Sequence, residues 1–136
     1  MNKETVTNRT QSYLDILSMD PLVFLSYLEQ FKIDVRCNVD SAEEMAEAGN
    51  KLGDVANAYS YLTSLYSYAG VRKRQLSRNG NTSDYQDMID KEEAIERTMK
   101  AVDMQYRALS KAITVRIENN KELYYTDGMG PAGGRR

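Results

Sequence analysis

The chain has 136 residues, the size of one domain, and its 41% hydrophobic and 28% charged residues exclude a disordered polymer. A formal net charge of −2 excludes a polycation that grips phosphate backbones through bulk charge, so any nucleic-acid binding must come from a local patch or from assembly. Histidine is absent, which removes the commonest acid–base group and metal ligand near neutral pH. The single cysteine, Cys37, cannot form an internal disulfide and is expected to act as a small buried apolar residue.

From residue 4 to 19, Val6, Tyr13, Leu14, Ile16 and Leu17 make a weakly amphipathic helix that stops at Ser18-Met19-Asp20-Pro21. Asp20 before Pro21 is a helix start, with the aspartate capping and proline at the first helical position, where its missing N–H costs nothing. The short second helix carries Leu22, Phe24, Leu25 and Leu28 on nearly every side, which predicts that it is well buried. No apolar run approaches the ~20 residues that span a bilayer, and the start MNKETVTNRT has no hydrophobic signal core. No membrane partner is expected, and the expected location is the cytoplasm, that of the host if the protein is phage-encoded.

Residues 31–40 alternate apolar and polar side chains without a miss, the period of a strand or extended segment. With no partner strand of equal quality, this stretch is either a connector packed on helices or a strand that pairs with its copy in another subunit.

Ser41 with Glu44 forms a capping box. Behind it Met45, Ala48, Leu52, Val55, Tyr59, Leu62, Tyr66 and Ala69 recur at alternating spacings of three and four, a coiled-coil-like seam ending near Ser77. The run Arg78-Asn79-Gly80-Asn81 is a turn, after which Thr82 or Ser83 caps a second long helix. Its seam reads Tyr85, Met88, Glu92, Ile95, Met99, Val102, Tyr106, Leu109 and Ile113, with Glu92 as a polar interruption. So short a connection makes the helices antiparallel. The fold class is therefore all-α: one helical domain over 1–125 with a long antiparallel hairpin at 41–123, short N-terminal helices, an extended segment, and a flexible glycine-rich tail at 126–136. Tyr61, Leu65, Tyr68, Ile89 and Ala112 lie off the seams, and this leftover apolar surface predicts a homo-oligomer, against the alternative of a compact three- or four-helix monomer.

Nothing resembles a nucleophile–base pair, a glycine-rich phosphate loop or a metal-ligand spacing, so no enzyme activity, cofactor or metal is expected. The acidic runs Glu43, Glu44, Glu47 and Asp87, Asp90, Glu92, Glu93, Glu96 read as solvated helix faces. Arg72, Lys73, Arg74 and Arg78 form a basic cluster at the hairpin tip, suited both to a helix carboxyl end and to phosphate. Tyr61 and Tyr68 lie close by and offer rings on which unpaired bases stack. Arg97, Lys100, Arg107 and Lys111 fall within about a quarter of the second helix's circumference, a stripe that repetition round an oligomer would extend.

Across roughly 33–123 the order of these features resembles the UvsY-like phage recombination mediators. An extended Ile33-Asp34-Val35 enters a helix, followed by a tyrosine-rich helix, a basic cluster, an acidic helix start after a glycine break, and a late Leu109-Ile113-Arg116 pattern. The break is shorter here than in the family pattern, and the arginines stand apart from the aromatic residues rather than among them. The resemblance implies an oligomer that binds single-stranded DNA, contacts a RecA-type recombinase and helps it displace single-strand-binding protein. Arg72, Lys73 and Arg74 then match the DNA-contacting segment, and Arg78, Tyr68, Lys100, Arg107 and Lys111 complete the candidate set. A protein-only adaptor, or an anti-defence inhibitor whose acidic faces mimic nucleic acid, is the competing expectation.

Overall fold

Helix-start and helix-stop chemistry written at each junction divides the chain into four helices: α1 (Lys3–Leu17), α2 (Pro21–Glu29), α3 (Ala42–Arg78) and α4 (Thr82–Thr126). The structure is a computed structural model in which residues 3–34 and 36–126 are described, with side chains over 8–34 and 36–120. The expected tail falls almost entirely outside the described residues, and α4 continues to Thr126, past the expected end at 123.

The local signals act where the sequence placed them, with one exception. The Asp20 carboxylate accepts the Leu22 N–H at 3.1 Å, and Pro21 opens α2. Ser41 and Glu44 close both halves of the capping box. At the start of α4 the cap is Asn81, whose side-chain oxygen accepts the Asp84 N–H at 3.1 Å, in place of the expected Thr82 or Ser83. Asn81 serves because Gly80 has already reversed the chain. Gly80 sits at φ 70°, its N–H bonds Ser77 O, and Asn81 N–H bonds Leu76 O, closing α3 with a Schellman motif. A side chain at Gly80 would be strained in this left-handed conformation. Gly80→Ala is expected to cost about 1 kcal/mol, read as a thermal midpoint lowered by several degrees with the helix content unchanged.

α3 and α4 pack antiparallel along most of their length. Charge is segregated to match. The acidic start of α3 lies beside the basic later half of α4, and the basic end of α3 lies beside the acidic start of α4. Lys73 and Glu92 make the direct bridge at 2.8 Å, which explains the polar interruption in the second seam. That bond holds the Lys73 ammonium above its ordinary value.

The buried stripe is the seam turned toward α1 and α2. Ala48, Val55, Leu62, Ala69 and Leu76 on α3, spaced by seven, meet Met88, Ile95, Val102 and Leu109 on α4. The flank covered by α1 and α2 adds Ala58, Leu65 and Ala94. The other half of the predicted seam stays open: Leu52, Tyr66, Tyr85 and Met99 are half-buried, and Tyr59 and Tyr106 are exposed. Two helices of cover can bury only one flank of a hairpin.

This placement narrows one expectation and overturns another. Leu65 is fully buried, and Tyr61 and Tyr68 are half-buried under the N-terminal helices, so the surface that argued for an oligomer is partly covered from within. α2 is not buried all round: Phe24 and Leu28 are inward, while Leu22, Val23 and Leu25 face solvent. Nine residues touching one neighbouring surface have only one face to hide.

Residues 31–39 form no strand among those described. Their alternation still sorts inside from outside. Phe31, Ile33, Cys37 and Val39 are half-buried, and Lys32, Asp34, Arg36 and Asn38 are exposed. The connector is tied down by Ile33 N–H to Gln105 Oε1 at 3.2 Å, and by Arg116 Nη2 to the Asp40 carbonyl at 3.1 Å.

Two contacts fasten α1 and α2 to the hairpin. Lys91, 3% exposed, donates from Nζ to Leu17 O (2.8 Å) and Met19 O (2.6 Å), pairs with Asp87 at 2.9 Å, and lies 5.6 Å from the Phe24 ring centre. Farther along, Tyr13 stacks on Tyr68 at 4.5 Å and on Tyr61 at 5.6 Å, and Phe31 stacks on Tyr61 at 5.2 Å. Tyr27 and Tyr61 share a 2.6 Å hydroxyl hydrogen bond. Burial first, and then that hydrogen bond, push the Tyr61 phenol well up.

Candidate nucleic-acid interface

Because α1 and α2 cover one flank, the other flank of the hairpin is a groove between α3 and α4. Near the tip it widens to about 540 Å³, with Tyr66, Gly70, Arg74 and Met99 among its walls and the Lys73–Glu92 bridge across its floor. Farther from the tip a pocket of about 240 Å³ lies among Ala56, Tyr59, Asp103 and Tyr106. Tyr59 and Tyr106 are each 39% exposed. The groove therefore presents aromatic rings to solvent, which the seam positions require of large residues left without a covering helix.

The predicted site residues sort into three sets around this groove. Arg74 and Arg78 are exposed and have no ion-pair partner among the described residues, as do Arg97 and Lys111 on α4. Arg72 turns toward the α1–α2 side, where it lines a cavity with Leu17, Met19 and Lys91, and its guanidinium reaches Gln75 at 3.4 Å. Lys73, Lys100 and Arg107 are matched to carboxylates: Glu92 at 2.8 Å, Glu96 at 3.4 Å and Asp103 at 3.0 Å. The last two are exposed i,i+4 pairs, each worth about 0.3–0.5 kcal/mol, which a phosphate can displace. The Lys73 bridge is part of the hairpin's own contact.

Tyr68 is placed differently from what base stacking needs. One ring face is taken by Tyr13, and its hydroxyl is 3.2 Å from that of Thr10. Tyr61 is likewise held between Tyr13 and Phe31. The exposed rings are instead Tyr59 and Tyr106, both at seam positions. Their three-four spacing implies burial, and the signal it lacks is which flank the N-terminal helices cover.

The chain matches no protein family, curated protein or solved structure. The site is accordingly read from its own geometry. At about 100° per residue, Lys100 and Arg107 on α4 and Arg74 on α3 fall toward the groove side, while Arg78 and Lys111 point away from the core. Lys73 and Arg74 line the groove itself, on the same open flank as Tyr59 and Tyr106. Among the described residues, no cluster of side chains suited to a metal ion occurs, and no helix is long and apolar enough to cross a membrane.

Proposed function

We propose that this protein is a non-catalytic accessory factor that holds single-stranded DNA in the open α3–α4 groove, with a recombination-mediator role of the kind the UvsY-like order of features implies. The observation that supports this most is the combination in one groove of solvent-facing rings, Tyr59 and Tyr106, with the unpaired Arg74 in its wall and the exposed Arg78 one turn beyond on α3. Bases stack on such rings without regard to sequence, and phosphates follow the cations. A RecA-type recombinase and a single-strand-binding protein are the partners this role requires.

The test is fluorescence anisotropy with a labelled oligothymidylate across a salt series. The unaltered protein is expected to bind at low salt and weaken steeply as salt rises. Replacing Arg74 and Arg78 together by alanine should flatten the log–log salt slope by about 1.4, at roughly 0.7 per phosphate contact on a single strand. Tyr59→Ala with Tyr106→Ala should weaken binding at least about tenfold while leaving that slope in place, since each stacked base contributes about 1–3 kcal/mol. Absence of binding at low salt would remove the proposal.

A protein-only adaptor or anti-defence inhibitor is the second reading, favoured by a separate observation. Leu22, Val23 and Leu25 on α2 are 76%, 55% and 46% exposed, an apolar trio on the side away from the groove's cations. Recovery of a protein partner that survives nuclease treatment and is lost in Leu22→Ser with Val23→Ser separates this reading from the first.

A further inference from the structure

A column of stacked rings runs under α1, and one of its members comes from the covering helix itself. Phe31, Tyr61, Tyr13 and Tyr68 follow one another at centroid separations of 5.2, 5.6 and 4.5 Å, with neighbouring planes within 29° of parallel. Tyr61 and Tyr68 are two helical turns apart on α3, so about 10 Å separates them along one face. Two rings at that spacing leave room for one planar ring between them, and Tyr13 fills it. The same face continues to Arg72, one turn beyond Tyr68. Arg72 has no ion pair among the described residues. The carboxylates lining its cavity are engaged elsewhere: Asp87 with Lys91, Asp84 with the Asn81 amide, and Asp20 with the Leu22 N–H.

We infer that Tyr61 and Tyr68 form a second stacking slot for an unpaired nucleobase, with Tyr13 as the built-in occupant that a base displaces and Arg72 as the partner of the adjoining phosphate. The inference rests on the single-strand reading above and gives it a site that is closed in the free protein. The exchange replaces like with like, because a base stacks on a tyrosine ring at least as strongly as a phenol does. α1 is fastened so as to permit it. Its last turn is held by the buried Leu17 and by Lys91 Nζ on the Leu17 and Met19 carbonyls. Over 8–16 no side chain of α1 is fully buried, and Asn8, Gln11, Ser12 and Asp15 face solvent. Toward its start, the Tyr13 stack and the 3.2 Å hydroxyl contact of Thr10 with Tyr68 tie it to α3. A helix pinned at one end and stacked at the other swings out about the pinned end.

The experiment needs no variant at first: amide hydrogen exchange of the full chain with and without saturating oligothymidylate. Residues 8–16 are expected to lose protection when the oligonucleotide binds, while α3 and α4 gain it. An oligonucleotide carrying 5-bromouracil should photocross-link to Tyr61 or Tyr68 in the same complex. Tyr13→Ala, with its helix content checked, should bind oligothymidylate at least about fivefold more tightly, since a stacked base then meets no competitor. Adding Tyr68→Ala should cancel that gain. Absence of binding at low salt removes the groove reading and this slot together. Binding that depends on Tyr59 and Tyr106 while residues 8–16 stay as protected as before, or that is indifferent to Tyr13→Ala, overturns the slot alone.

Discussion

Lys91→Met is expected to destabilise the protein by about 2–4 kcal/mol, far beyond what any exposed ion pair on α4 supplies. The difference lies in what the ammonium touches. It satisfies the Leu17 and Met19 carbonyls at the end of α1, balances Asp87, and lies against Phe24, all at 3% exposure. Methionine keeps the volume and removes every donor, so the carbonyls lose their partner without regaining full access to water. Urea denaturation gives the magnitude. Limited proteolysis gives the place, with cleavage expected in residues 18–20 before the hairpin is cut. A change within about 0.5 kcal/mol, typical of a neutral surface site, would mean that Lys91 does not anchor the N-terminal helices.

How far the sequence carried this fold can be traced through individual residues. Caps and turns were legible because they are local: Asp20-Pro21, the Ser41/Glu44 box and Gly80 each act within a few residues of themselves. The two seams were legible because a three-four repeat has one physical solution, a packed helix face. What the repeat does not encode is how far that face is rotated. Tyr59 and Leu62 obey the same spacing, yet one is 39% exposed and the other 0%. The choice between them is made by α1 and α2, whose covering contacts run between distant parts of the chain: Tyr13 with Tyr61, Phe31 with Tyr61, and Lys91 with the end of α1. The candidate site inherits the same limit. Its cations were visible in the sequence, but their neighbours were not, so Lys73 is found in a bridge and Tyr68 in an aromatic stack. The alternation at 31–39 is the reverse case: period two sorts the described side chains correctly although no strand forms among the described residues.

Phe24→Ala should carry the largest penalty of any single truncation in α2, about 3–5 kcal/mol, because a fully buried ring is lost and a cavity is left behind. Leu25→Ala, one residue on and 46% exposed, should cost under about 1 kcal/mol. The contrast is a direct measure of which side of this nine-residue helix faces the hairpin. Phe24 also lies under the Lys91 ammonium, so the two sites share an environment, and Phe24→Ala combined with Lys91→Met should cost less than the two singles added together. Equal penalties at Phe24 and Leu25 would show α2 rotated from the packing described, and Leu22, Val23 and Leu25 would then no longer stand as an outward apolar surface. Fully additive penalties would instead separate the Lys91 anchor from the α2 core, leaving two independent fasteners where the geometry gives one.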